Sequence, residues 1–134
     1  MPYLAGIVLA LTVSGFATLI GLDRDRAFYP TLLVVIASYY VLFAVMGGSD
    51  HALVVETLVM TGFLLAAAVG FKKNLWLVVA ALAAHGIFDF FHARVVANPG
   101  VPAWWPAFCL TYDITAAVFL VCLLRRSRSL TPAS

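Results

Sequence analysis

Five apolar stretches, each close to 20 residues long, set the limits on what this chain can become. They run over about 3–22, 30–47, 51–70, 75–97 and 104–124. The hydrocarbon layer of a bilayer is crossed by about 20 helical residues at about 1.5 Å each. In lipid the backbone must satisfy its own hydrogen bonds, so runs of this length are helices. The expectation is therefore an all-α, polytopic membrane helical bundle with five transmembrane helices. Composition agrees: 64% of the residues are hydrophobic and 10% charged, against about 45–50% and about 25% in soluble domains. With 134 residues there is room for a single transmembrane domain over 1–124, followed by a short basic tail over 125–134.

The breaks between the runs have physical causes. "DRDRAFYP" carries four charges, and its Pro30 suits the first turn of a helix. "GGSD" gives a glycine turn with an N-cap at Ser49 or Asp50. "FKKN" is a basic turn, and "NPGVPAWWP" holds too many prolines to continue a helix. The first run lacks a positive n-region and its basic flank follows it, so it reads as a retained span rather than a signal peptide.

Lys and Arg set the orientation. Arg24, Arg26, Lys72, Lys73, Arg125, Arg126 and Arg128 fall on one side, and Arg94 alone falls on the other. By the positive-inside bias the topology is N-out, C-in, in a cell (inner or plasma) membrane. The basic residues sit at membrane edges and form no nucleic-acid patch. Cys109 and Cys122 lie about 20 Å apart along one helix, too far for a disulfide. Small residues recur every fourth position, at Gly6, Ala10, Ser14 and Thr18 and again at Gly62, Ala66 and Gly70. Such stripes let helices approach closely in lipid. Packing within the bundle and a homo-oligomer seam both follow from that, beside contact with membrane lipids.

Three carboxylates fall inside spans: Glu56, Asp89 and Asp113. An acid at the centre of a membrane helix costs about 2.5–3.5 kcal/mol on insertion scales, and it is normally paired, protonated or turned to water. The usual Lys or Arg partner is missing, since Arg94 stands at a span end. His85, Asp89 and His92 are spaced i, i+4, i+7 on one helix face. Counting rise from the span ends places Glu56, Asp89, His92 and Asp113 at overlapping depths in the outer half, with His85 deeper. Asp89, His92 and Asp113 are thus the candidate metal ligands, and Glu56 and His85 the candidate catalytic bases. A His/carboxylate set suits a divalent metal, zinc first. Tyr39, Tyr40, Cys109 and Tyr112 are possible accessory groups. The alternative is a neutral polar clamp, with His85 bonding Asp89 or Tyr112. Yet three acids against two imidazoles leave one charge uncompensated, which protons, water or a cation must supply.

"DRDRAFYP" with the later "YYVLF", the "H-x3-D-x2-H" run and "P-x-W-W-P-x-F-C-x3-D" resemble small bacterial integral-membrane proteins with no assigned activity. The resemblance implies a bacterial inner-membrane setting and adds no chemistry. In its ingredients the chain is also similar to the seven-helix ceramidase and adiponectin-receptor group. It has five spans and lacks their HxxxH helix, so no residue role transfers. Three functions remain open: a metal-dependent, hydrolase-like intramembrane enzyme on a lipidic substrate; a proton- or cation-coupled transporter or channel subunit; and a non-catalytic membrane component.

Overall fold

The computed structural model describes residues 1–129. It is all-helical over that range: α1 (Pro2–Ile20), a 3-10 turn (Leu22–Arg24), α2 (Phe28–Met46), α3 (Asp50–Lys72), α4 (Leu75–Val95) and α5 (Trp105–Ser129). All five α-helices are long and apolar enough to cross a membrane, with mean hydropathies of 1.6 to 2.1. The helix ends fall where the sequence chemistry puts them. Gly21 adopts a left-handed φ of 77° and caps α1 through backbone bonds to Ala17 and Thr18, a conformation that glycine takes without penalty. Ser49 is the N-cap of α3, its hydroxyl accepting from the Ala52 amide at 3.2 Å. Asn74 caps α4 in the same way. The largest boundary difference is at α5, which runs past Leu124 to Ser129. Residues 125–129 of the expected tail therefore extend a helix, and 130–134 lie outside the described residues.

The helices pack in the order α1–α5–α4–α3–α2, with α2 also meeting α4. One end of the bundle carries the α2–α3 turn and the long α4–α5 loop, and is called here the loop end. The other carries the 3-10 turn, the α3–α4 turn and the close of α5, and is the basic end.

Large apolar side chains cover the outside: Phe16, Leu19, Leu58 and Val118 are all exposed. The interior instead holds many small residues, among them Ala10, Ala17, Ala44, Ala52, Ala67, Ala81, Ala116 and Ala117. This distribution suits a lipid solvent, where close packing between small residues replaces the hydrophobic drive. The α1 stripe packs inward at Gly6, Ala10 and Ser14, which are buried, whereas Thr18 is exposed. A Cβ at Gly6 would lie 2.3 Å from the Phe108 carbonyl oxygen, so only glycine permits the α1–α5 approach. The α3 stripe divides. Gly70 is buried against Val78, whereas Gly62 opens on an apolar groove between α3 and α4.

Exposed threonine hydroxyls bond within their own helices, Thr12 on Val8, Thr57 on Leu53 and Thr61 on Thr57, so they meet lipid at little cost. The apolar core lies toward the basic end, where Tyr29, Leu33, Val78, Leu82, Ala116 and Leu120 form one cluster. A second cluster of Ala44, Ala52 and Val96 sits at the loop end. Polar side chains from four helices and the α4–α5 loop occupy the interior between them.

Candidate metal centre

Glu56, His85, Asp89, His92 and Asp113 are all between 0% and 2% exposed. Five ionisable groups are therefore desolvated together, and their partners decide what each can do. They form two groups.

The first group joins α4 to α5. His85 Nδ1 lies 2.6 Å from Asp113 Oδ2 and 3.3 Å from Asp89 Oδ2. Gly86 makes this possible. A Cβ there would stand 3.1 Å from the Leu110 carbonyl and 3.2 Å from Asp113 Cβ, so the missing side chain lets α5 approach beside His85. Ligand atoms of His85, Asp89 and Asp113 all fall within 4.8 Å of one another, a set that can hold a metal ion.

Satisfaction within the group is uneven. The short bond to Asp113 takes the Nδ1 position, and both Asp89 oxygens and Asp113 Oδ1 are buried with no hydrogen-bond partner. A buried carboxylate in that state costs several kcal/mol unless a proton or cation joins it. The donor set suits a cation: one imidazole and two carboxylates, with ligand atoms close together and carboxylate oxygens left unused.

The second group joins α4 to α3 and to the α4–α5 loop. His92 Nε2 lies 2.7 Å from Glu56 Oε1. Asn98 Nδ2 donates to the same Glu56 oxygen and to the Tyr40 carbonyl, each at 3.0 Å. The loop is pinned to the end of α2, where Gly100 and Gly47 meet backbone to backbone: a Cβ on Gly47 would stand 2.6 Å from the Gly100 nitrogen. Tyr40 stacks on His92 with ring centroids 4.1 Å apart, and its ring also lies 6.2 Å from that of His85. The Tyr40 hydroxyl is buried without a hydrogen-bond partner, within electrostatic reach of Asp89 and Glu56.

The sequence-based set and the observed sets differ in one exchange. Asp89 and Asp113 come together as expected for ligands, but the imidazole that joins them is His85, while His92 turns to Glu56. The cause is depth. α4 ends at Val95, short of the expected boundary, so His85 is ten residues from that end and Asp113 is eight from the start of α5 at Trp105. The two meet at one level, and His92 is left near the loop. Glu56, expected as a base near the metal, is bonded within the second group.

Among the accessory residues, Tyr40 and Cys109 are buried at the site, with the Cys109 sulfur within electrostatic reach of both aspartates. Tyr112 packs with Ala10, Ile36 and Phe108, and His85 bonds Asp113 in its place. Tyr39 is 38% exposed and lies against Trp105, outside the polar interior.

Asn98 was missed from the sequence. "ANPG" reads as a turn, and nothing local signals that its amide folds down onto a carboxylate on α3.

From the wall of α1, α2 and α5, an apolar cleft of 470 Å³ reaches inward to Cys109 and Tyr112, with Trp104, Trp105 and Phe108 beside it. Cys109 lies one turn before Asp113 on α5, so the cleft ends next to the first polar group. No family model, curated protein or solved structure matches this chain, and its site rests on geometry alone.

Proposed function

We propose that this chain is a metal-dependent intramembrane enzyme that hydrolyses a lipidic substrate, with His85, Asp89 and Asp113 as the metal ligands. The observation that carries the reading is the buried Asp89 carboxylate, whose two oxygens lack hydrogen-bond partners while Asp113 and His85 crowd the same point. Three protein ligands leave a further position open, the arrangement of catalytic rather than structural zinc sites. A bound zinc there would supply a water of lowered pKa. The chain's own residues would do the rest. Asp113 fixes the His85 ring, and the Glu56–His92 pair, with Tyr40 between the two groups, takes up and returns a proton. The cleft against Cys109 offers an apolar path from the bilayer for an acyl chain. The proposed setting is a multi-pass protein of the cell membrane, N-out and C-in, with the basic end at the cytoplasmic face.

The test is hydrolysis in proteoliposomes containing lipid esters and lipid amides, with zinc added or chelated. The reading expects zinc-dependent turnover of one lipid class that is lost in Asp89→Asn and Asp113→Asn and kept in Cys122→Ser. Turnover unaffected by chelation, or equal in the aspartate variants, would overturn it.

One observation favours a second reading. Two separate acid–imidazole groups stand at different depths along α4, as steps in a proton or cation path would. Ion flux through sealed vesicles that disappears in both Asp89→Asn and Glu56→Gln, without hydrolysis in wild type, would select it.

A further inference from the structure

The basic end holds a second cavity that the metal reading does not use. It measures 530 Å³ and is lined on one side by the "DRDR" turn and on the other by Leu120, Leu123 and Leu124 of α5. Its charged groups are unequally engaged. Asp23 accepts from the Thr18 hydroxyl, and Asp25 accepts from the Ala27 amide at 3.0 Å. Arg26 donates through Nε and Nη2 to the Phe71 carbonyl, at 3.2 and 3.1 Å, and so caps the C-terminal end of α3.

The Arg24 amide donates to the Gly21 carbonyl, while its guanidinium makes neither a hydrogen bond nor an ion pair to any described residue. Its guanidinium folds over Gly21, where an added Cβ would meet Nε at 3.2 Å, so the glycine leaves room for the fork. Arg126 adds a third guanidinium to the lining. Leu75, Leu120, Leu123 and Leu124 form the apolar part of its wall, with Thr18, Tyr29 and Ser127 beside them.

We infer that this cavity binds the phosphodiester headgroup of an anionic phospholipid, with Arg24 as the principal contact and the first carbons of an acyl chain along the α5 leucines. An unengaged guanidinium fork matches a phosphate oxygen pair, and basic pockets between membrane helices are where such headgroups are held. The leucine wall selects a lipid over free phosphate, which would gain nothing from it.

The experiment is native mass spectrometry of the full chain from nanodiscs of phosphatidylcholine doped with phosphatidylglycerol. Wild type is expected to retain one phosphatidylglycerol in preference to phosphatidylcholine. Arg24→Gln should reduce that preference by about fivefold or more. Arg24→Lys, which keeps the charge and loses the fork, should retain part of it and also serves if the glutamine variant folds poorly. Lys73→Gln, at the same end but outside the cavity, should leave it unchanged. Equal losses in Arg24→Gln and Lys73→Gln would reduce the effect to general surface charge and overturn the site. So would displacement of the lipid by millimolar inorganic phosphate, or an equal retention of the two lipids by wild type. None of these readouts depends on zinc or hydrolysis, so the site stands or falls apart from the metal reading.

Discussion

Each of the two polar groups along α4 pairs a buried imidazole with a buried carboxylate from a neighbouring helix, yet they differ in how far their hydrogen bonding is complete. In the group near the loop, one Glu56 oxygen takes both the His92 ring and the Asn98 amide, that amide also ties the loop to α2, and of the carboxylate oxygens Glu56 Oε2 alone is left without a hydrogen-bond partner. In the deeper group, His85 makes one short bond to Asp113 and a longer 3.3 Å contact to Asp89, and three carboxylate oxygens are left without hydrogen-bond partners. Burial is equal, so burial alone does not mark a site. The first arrangement contributes to folding. The second is costly in isolation, and a bound cation would offset that cost.

The comparison makes opposite predictions for substitutions of similar size. The largest effect is expected at Glu56. Glu56→Ala removes the partner of a buried imidazole and of Asn98, and should lower stability in detergent by about 3–5 kcal/mol, read from reversible denaturation. Asp89→Asn should do the reverse in metal-free protein, raising stability by about 1–3 kcal/mol because a buried carboxylate with no hydrogen-bond partner is replaced by a neutral amide. Adding zinc should reverse the order: at a concentration about 100 times its Kd, zinc stabilises wild type by about 2.7 kcal/mol and leaves Asp89→Asn unmoved. If both substitutions destabilise metal-free protein alike, the distinction between the groups fails.

Gly86→Ala tests the geometry that brings the groups' helices together. Its added methyl meets Leu110 and Asp113 at 3.1 and 3.2 Å, and overpacking of this kind costs about 1–3 kcal/mol. The expected signature is weaker zinc binding, measured by competition with a chelating dye, with the Glu56–His92–Asn98 contacts intact. Zinc affinity should also rise with pH. The ligands must be deprotonated to bind, so protons compete with the metal as the pH falls. Asn98→Ala should cost about 1–3 kcal/mol with zinc affinity unchanged, which isolates the loop from the metal group. The smallest stability effect is expected at Tyr40→Phe, where the lost hydroxyl has no partner. A fall in turnover with unchanged zinc content would mark that hydroxyl as a proton carrier.

Much of the fold was legible in the sequence because membrane constraints are severe. Apolar runs of spanning length, a Gly-Gly turn before Ser49 and the proline-rich stretch before Trp105 leave few alternatives to five helices. The polar residues could also be singled out, since an acid within a span without Lys or Arg demands an explanation. The pairing was less accessible. His85 and His92 share one helix face, and which of them meets Asp113 depends on where α4 stops and how closely α5 approaches at Gly86. A two-residue shift in a helix end moves a side chain by about 3 Å along the axis, enough to exchange one imidazole for the other. Asn98 was hidden for another reason: it lies on a loop, whose path no periodicity describes.

The most direct test of the metal centre is elemental analysis of folded, purified protein after exposure to zinc and removal of the excess, for wild type, Asp89→Asn, Asp113→Asn and Glu56→Gln. The account predicts one zinc per chain in wild type and in Glu56→Gln, and none in either aspartate variant. Folded wild type without metal, or an Asp89→Asn protein that retains as much zinc as wild type, would contradict it.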